Sequence, residues 1–473
     1  MLAKIRTHLE HPISIQSLVV VRIAFGLILA WDCVRYIRAD RIGRYYVDPQ
    51  FNFPFLPFVH PLPEPWIHIL WLGVGLFGLM VAFGAFYRIS IVALTAIFAY
   101  YFLLDRTQYL NHNYMVILYG ILMCFMPANR AFSVDAWLRP QIRSQVIPRW
   151  PVSVIKLQTE IILIYAGIVK ITDDWLRGEP LREWLSDAQG DVFFGFLFNY
   201  DISFVLASWG TVLLHVVGAP LLLWHRTRLA VFLIYAFFHW SNAQLFNIGI
   251  FPWITLALTT IFFAPDWPQQ LARRFLGLFE AVPEKPPLPQ ATYRIAPWGL
   301  TALAVWFAVQ IIIPQRQAFF PTNVGWSGDG HRFSWRMRIY DRDSEGVFIV
   351  TGPDGDSVAI NPRDAMSNRQ ARNVLARPDL VHAFAHKLED YFIEQGYSDV
   401  SVRADVQVAF NGRPPQQFTD PNVDLTEVPY NLFGPDPWIL PNYERAADGI
   451  VPDWLPPFPL QREEELPQIV PAR

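Results

Sequence analysis

Residues 164–178 read IYAGIVKITDDWLRG. The first half is apolar enough for hydrocarbon, and the character changes at Lys170, with Asp173, Asp174 and Trp175 close behind. An apolar run that stops at charged residues marks the end of a membrane-spanning helix. The lysine admits two readings. Its long stem lets an ammonium snorkel from a helix end to water. A partly dry enclosure would instead lower its proton affinity and make it a base.

The surrounding chain has the same membrane character. Of its 473 residues, 53% are hydrophobic, 15% aromatic and 17% charged, against about 25% charged in soluble domains. Apolar runs dominate up to about residue 315, and charged, proline-rich sequence follows. The expected architecture is a polytopic α-helical membrane domain over residues 1–316, then a soluble, sheet-containing α+β domain over 317–473. Nine candidate spans fall near 15–36, 66–86, 89–104, 111–127, 152–170, 203–224, 228–246, 248–264 and 296–315. Several are close to the minimum for crossing about 30 Å of hydrocarbon. The first run reads as a retained helix, since it lacks the usual cleavable-signal pattern. A net charge of −3 argues against nucleic acid and leaves membrane lipid as the expected environment. Cys33 and Cys124 both lie in apolar segments, so the soluble domain has no disulfide framework.

Positively charged residues set the orientation. The segments on the N-terminal side of the membrane are the richer in Lys and Arg; one loop alone carries Arg130, Arg139, Arg143 and Arg149. The N-terminus is therefore expected inside and, with nine spans, the C-terminal domain outside. This topology brings Lys170, His112 in YLNHNYMVILYG, and His239 and Asn242 in FFHWSNAQLFNIGIFPW to the outer level of the bilayer. Taken singly, each has an ordinary reading: a snorkelling lysine, a helix-end histidine bonded to a carbonyl, a belt pair of His239 with Trp240. The Asn111-His112-Asn113 cluster is harder to reduce, because three adjacent polar side chains near a bilayer need several partners.

Arg22, Asp32, Lys156 and Glu160 are the other charges within the spans. Lys156 and Glu160, four apart, suit a local ion pair. The polar pattern carries no metal-ligand spacing, phosphate loop or nucleophile elbow. In the soluble part, 346–362 reads as two strands about a Pro-Asp-Gly turn, and 400–410 as an alternating strand. Residues 365–395 read as a short helix and a longer amphipathic one, divided at Pro378.

Three stretches, NHNYMVILYGILMCFMPANRAFSVDAWL (111–138), YAGIVKITDDWLRG (165–178) and HWSNAQLFNIGIFPW (239–253), resemble successive signatures of the vitamin K-dependent γ-glutamyl carboxylase family. NVGWSGDGHRFSWRMRIY (323–340), AINP (359–362) and FTDPNVDLTEV (418–428) are similar to that family's lumenal segments, in the same order. The resemblance implies a carboxylase with coupled epoxidase activity. Reduced vitamin K, as phylloquinol or menaquinol, would be oxidised by O₂ to its 2,3-epoxide. CO₂ would be added to glutamate of a peptide or protein substrate, with no metal. It implies Lys170 as the amine base and His112 as the group stabilising the glutamate carbanion. Phe251 and Met337 would line the quinone site, with His239 and Asn242 nearby. Asn111, Trp326, His331 and Trp335 would attend the peptide.

Two positions depart from the family pattern: Val169 stands where a second lysine is expected, and His331 where a tyrosine is expected. The lack of sequons and of a lumenal cysteine favours a bacterial inner-membrane protein with a periplasmic domain. A quinol epoxidase without carboxylation is the alternative enzyme. A transporter or binding protein using Arg22, Asp32, Lys156 and Glu160 is the alternative from another class.

Overall fold

The computed structural model describes residues 2–186, 188, 190, 192–246, 248–276, 294–320, 324–431, 434 and 436–442. They form two compact units. The first comprises residues 1–168, 212–316 and 332–337; the second comprises 169–211, 317–331 and 338–473. The soluble-domain residues after 442 lie outside the described residues.

Among the described residues, six helical stretches are long and apolar enough to cross a membrane: Gln16–Arg38, Trp66–Phe83, Tyr87–Leu104, Trp150–Ile168, Asp201–Leu221 and Pro297–Phe319. The remaining three expected spans do not reach that standard. Asn111–Phe125 has 15 residues, about 22 Å at 1.5 Å per residue. Phe251–Phe262 is shorter still. Arg228–Leu245 ends in turns carrying His239, Ser241, Asn242 and Gln244. We label the helices α1 (Gln16–Arg38), α2 (Trp66–Phe83), α3 (Tyr87–Leu104), α4 (Asn111–Phe125), α5 (Trp150–Ile168), α6 (Asp201–Leu213), α7 (Arg228–Leu245), α8 (Phe251–Thr259) and α9 (Pro297–Ile312).

Small residues bring α1 and α2 together, as membrane helices with no hydrophobic drive between them require. A Cβ on Gly26 would lie 2.6 Å from the Ala82 amide nitrogen, and one on Gly78 would lie 2.9 Å from the Gly26 carbonyl. The start of α1 is tied by Arg22, which is fully buried. Its guanidinium donates to the carbonyls of Ala82 at 3.2 Å, Ala128 at 2.7 Å, Ala131 at 3.2 Å and Phe132 at 2.5 Å. The Ala82 carbonyl lies in the last turn of α2, where helix geometry leaves acceptors free, and the other three lie in the loop after α4. α6 runs on into a π-helical turn, Leu214–Gly218. Gly167 of α5 packs against that turn: a Cβ there would lie 2.7 Å from the His215 Cβ.

The second unit holds a four-stranded antiparallel sheet of β1 (Arg342–Thr351), β2 (Ser357–Ile360), β3 (Ser401–Phe410) and β4 (Gln416–Gln417), in the order β2-β1-β3-β4. Alternation along β3 buries Val402, Ala404, Val406, Val408 and Phe410. The helices α10 (Asn368–Leu375) and α11 (Pro378–Glu394) cover that face; Phe384 of α11 meets Phe348 of β1 edge-on at 4.8 Å. Ser367 and Gln370 form a reciprocal cap on α10, and Pro378 opens α11 where its missing N–H costs nothing. The β1–β2 turn contains Gly355 at φ +85°, as the Pro-Asp-Gly stretch demands.

Candidate active site

In the first unit, α4 and α8 begin, and α7 ends, in the same neighbourhood. His112 on the first turn of α4 faces Phe251, the first residue of α8, with ring centroids 6.3 Å apart. Phe251 meets His239 of α7 edge-on at 5.7 Å. The backbone that leads into α8 passes close by at Gly249, whose φ is +64°. A Cβ there would lie 3.6 Å from the His112 Nε2 and 3.4 Å from the Arg35 Nη1. Arg35 is paired with Asp32 at 2.8 Å. The His239 ring is 1% exposed, and neither of its nitrogens has a hydrogen-bond partner among the described residues. Asn242, one turn on, spends its amide on the Phe238 carbonyl at 2.8 Å.

Residues 332–337, RFSWRM, belong to this unit as well. The Asn111 amide donates to the Arg336 carbonyl at 3.0 Å, and Tyr109 donates to the Asn111 side chain at 3.0 Å. The Phe333 amide donates to the Tyr109 hydroxyl at 2.7 Å. Tyr114 stacks on Trp335 at 5.2 Å and meets Phe333 edge-on at 4.9 Å. Trp335 is fully buried, and its indole N–H has no partner among the described residues. Met337, at the end of the stretch, is half-buried. Phe333 and Trp335 hold φ of +63° and +57°, a costly region for bulky side chains that clusters at ligand-handling sites.

The second unit holds Lys170, which is 6% exposed. Its Nζ lies 5.0 Å from the centre of the Trp175 ring. Enclosure to that degree removes the snorkelling reading, in which the ammonium reaches water. Thr172 caps the short helix Asp173–Leu176 that carries the tryptophan, and the Trp175 indole donates to the Ser208 carbonyl at 3.2 Å. Asp174 is not a solvated loop charge. It accepts from Arg413 at 2.5 Å and from Asn411 at 2.8 Å.

Trp326 and His331, expected near a peptide, sit differently in this unit. Trp326 is 2% exposed, packs edge-on against Phe410 and Phe418, and spends its indole N–H on the Leu440 carbonyl at 2.7 Å. The His331 Nδ1 bonds to the Gly328 carbonyl at 2.9 Å, which fixes the proton on that nitrogen.

Arg342, which no sequence spacing singled out, is the group that does have capacity for an anion. Its Nε, Nη1 and Nη2 are shielded and make no hydrogen bond of good geometry among the described residues. Burial lowers its pKa to about 10, while Tyr340 and Asp329 favour its charge and Arg377 opposes it. Gly328, at φ +78°, lies between two cations: a Cβ there would be 2.9 Å from the Arg342 Nη1 and 3.5 Å from the Arg377 Nη1.

The intramembrane charges also pair differently from expectation. Arg22 takes backbone carbonyls, and Asp32 takes Arg35. Lys156 reaches the Phe262 carbonyl at 3.4 Å. Glu160 is 6% exposed, and both of its oxygens lack partners among the described residues. The i,i+4 pair of Lys156 and Glu160 is thus not formed. No group of three or more His, Cys, Asp or Glu side chains among the described residues is arranged to hold a metal.

Residues 10–267 match the family model for the HTTM domain, and residues 295–445 match that of the vitamin K-dependent gamma-carboxylase, lumenal domain. No solved structure matches the chain.

Proposed function

This chain, an integral membrane protein, belongs to the vitamin K-dependent γ-glutamyl carboxylase family, and from that premise we propose that it carboxylates peptide glutamate at the expense of a quinol. The observation that carries the reading is the enclosed Lys170, since an ammonium kept from water is the form of lysine that can shed its proton near neutral pH. Lys170 would take the hydroxyl proton of the quinol. Bound reduced vitamin K supplies the reducing equivalents with which O₂ yields a base strong enough for a glutamate γ-proton, and it departs as the 2,3-epoxide.

The first unit's residues suit such a ring. Phe251 offers an aromatic face, and the unspent nitrogens of His239 and the imidazole of His112 offer hydrogen bonds to its oxygens. His112, oriented beside Asn111, would stabilise the carbanion until CO₂ arrives. Within the sheet-containing unit, Arg342 and Arg377 would offer charge-assisted hydrogen bonds to a peptide carboxylate. Burial around His239, beside the half-buried His112, would exclude water that quenches a carbanion. The expected setting is a bacterial inner membrane, with the sheet-containing unit on the outer side.

The test supplies purified protein in detergent with reduced vitamin K, labelled bicarbonate and a glutamate peptide, and measures epoxide and incorporated label separately. Both products are expected from the natural sequence and neither from Lys170→Ala. Epoxide without label would refute carboxylation; neither product would refute both activities.

A further inference from the structure

The proposed reaction does not balance its protons inside the site. Quinol and O₂ give epoxide and water, which closes. Replacing a γ C–H by carboxylate with CO₂ gives one proton in addition. Each coupled turnover therefore leaves one proton on a protein base, and that base must discharge it before the next quinol is deprotonated. A site that excludes water has to provide the exit.

Two buried groups in the first unit are unspent. The ring nitrogens of His239 and the carboxyl oxygens of Glu160 are all shielded and lack partners among the described residues. Leaving a buried polar group unsatisfied is costly, and such groups call for a functional reason. Tyr235 and His215 continue the row from His239. His239 stacks on Tyr235 at 6.0 Å, and Tyr235 meets His215 edge-on at 5.6 Å. His215 also meets Phe238, the neighbour of His239, edge-on at 5.2 Å, and Glu160 lies on α5 about two turns before Gly167. The π-helical turn presents His215, and Gly167 is what lets α5 approach it; π-turns of this kind recur at functional sites. At one end of the row, His239 adjoins Phe251 and so His112. At the other, Lys156 lies one turn before Glu160 on α5.

We infer that Glu160, His215 and His239 form a proton-exit relay for the carboxylation proposed above. Each group accepts the proton on its lone pair and passes it on, through single waters where the gaps exceed a hydrogen bond. The last protein group in the relay is the Glu160 carboxylate, which gives the proton up to water. No electron moves and no bond other than N–H and O–H is made or broken. These are positioning and shuttling groups, and the inference rests on the carboxylase reading.

The test mixes full-length protein loaded with reduced vitamin K and peptide against O₂ and CO₂, following product by rapid quench and proton release by a pH-sensitive dye. The natural sequence should release one proton per carboxylation. Glu160→Gln should form its first product at the natural rate, then fall in steady state by about a hundredfold, the low end for a positioned proton-transfer group, with proton release delayed to match. Glu160→Asp should recover most of the steady-state rate, and added imidazole should rescue His239→Ala. A first turnover slowed as much as the later ones in Glu160→Gln, or a steady-state rate unchanged in Glu160→Gln, would overturn the relay. Absence of any carboxylated product from the natural sequence would overturn the carboxylase reading and the relay with it.

Discussion

At the scale of single residues, burial decided what spacing could not. Lys170 carries the same letter whether it snorkels or is enclosed, and only packing against the Trp175 ring distinguishes the two. Lys170→Ala should lower epoxide and carboxylated peptide together by at least about a hundredfold, read as initial rates at saturating quinol. His112→Ala should depress carboxylation more than epoxidation; equal loss of both would contradict a role at the carbanion. Arg342 was illegible in the sequence because nothing in YDRDSEG distinguishes a surface arginine from one held between Tyr340 and Phe418. Arg342→Gln should raise KM for the glutamate peptide by tenfold or more, with KM for the quinol unchanged, since a charge-assisted hydrogen bond is worth about 1.5–3 kcal/mol.

At the scale of elements, the sequence conveys most where periodicity and length agree. Both soluble helices, the turn at Gly355 and strand β3 follow from capping residues, Pro378 and strict alternation. The short helices α4 and α8 were harder, because a run of apolar residues looks the same whether it crosses a bilayer or only packs within a bundle. RFSWRM carries no periodicity that announces its left-handed kinks, because its packing against Tyr109 and Tyr114 depends on partners over two hundred positions away. Packing of α1 on α2 makes a sharp prediction. Gly26→Val would drive a branched side chain into the backbone of α2, which cannot yield as a side chain can, so the cost should exceed the usual overpacking range of about 1–3 kcal/mol. A fall in the yield of monodisperse protein, with a lowered Tm for what remains, would register it. Gly210, with nothing near an added Cβ, should tolerate alanine.

For the whole molecule, solution pH offers a handle on the sheet-containing unit. Asp436 is held up to about 6 from its ordinary 3.8, chiefly by burial, with Asp329 and Asp379 adding to the shift and bonds from Asn431 opposing it. Below pH 4 both folded and unfolded chains keep the proton, and the side chain has no cost. Between pH 4 and 6 the unfolded chain ionises first, so folding loses stability as pH rises, and above about 6 the loss is constant. Asp436→Asn keeps the acceptor for the Asn431 amide at 2.9 Å. It should therefore raise stability at pH 7.5 by about 1–2 kcal/mol after screening is allowed for and have little effect at pH 4. Thermal unfolding of the full-length protein at both values would check it; an equal change at each pH would disprove the assignment.

The carbonyl cage around Arg22 has a consequence for biogenesis. Its oxygens come from residues 82, 128, 131 and 132, all synthesised after the segment that holds the guanidinium. A nascent chain halted short of residue 128 holds a cation in its first hydrophobic segment with at most the Ala82 carbonyl of the four to cradle it. Insertion of that segment is consequently provisional, and the ribosome must deliver some hundred further residues before the translocon's first decision becomes permanent.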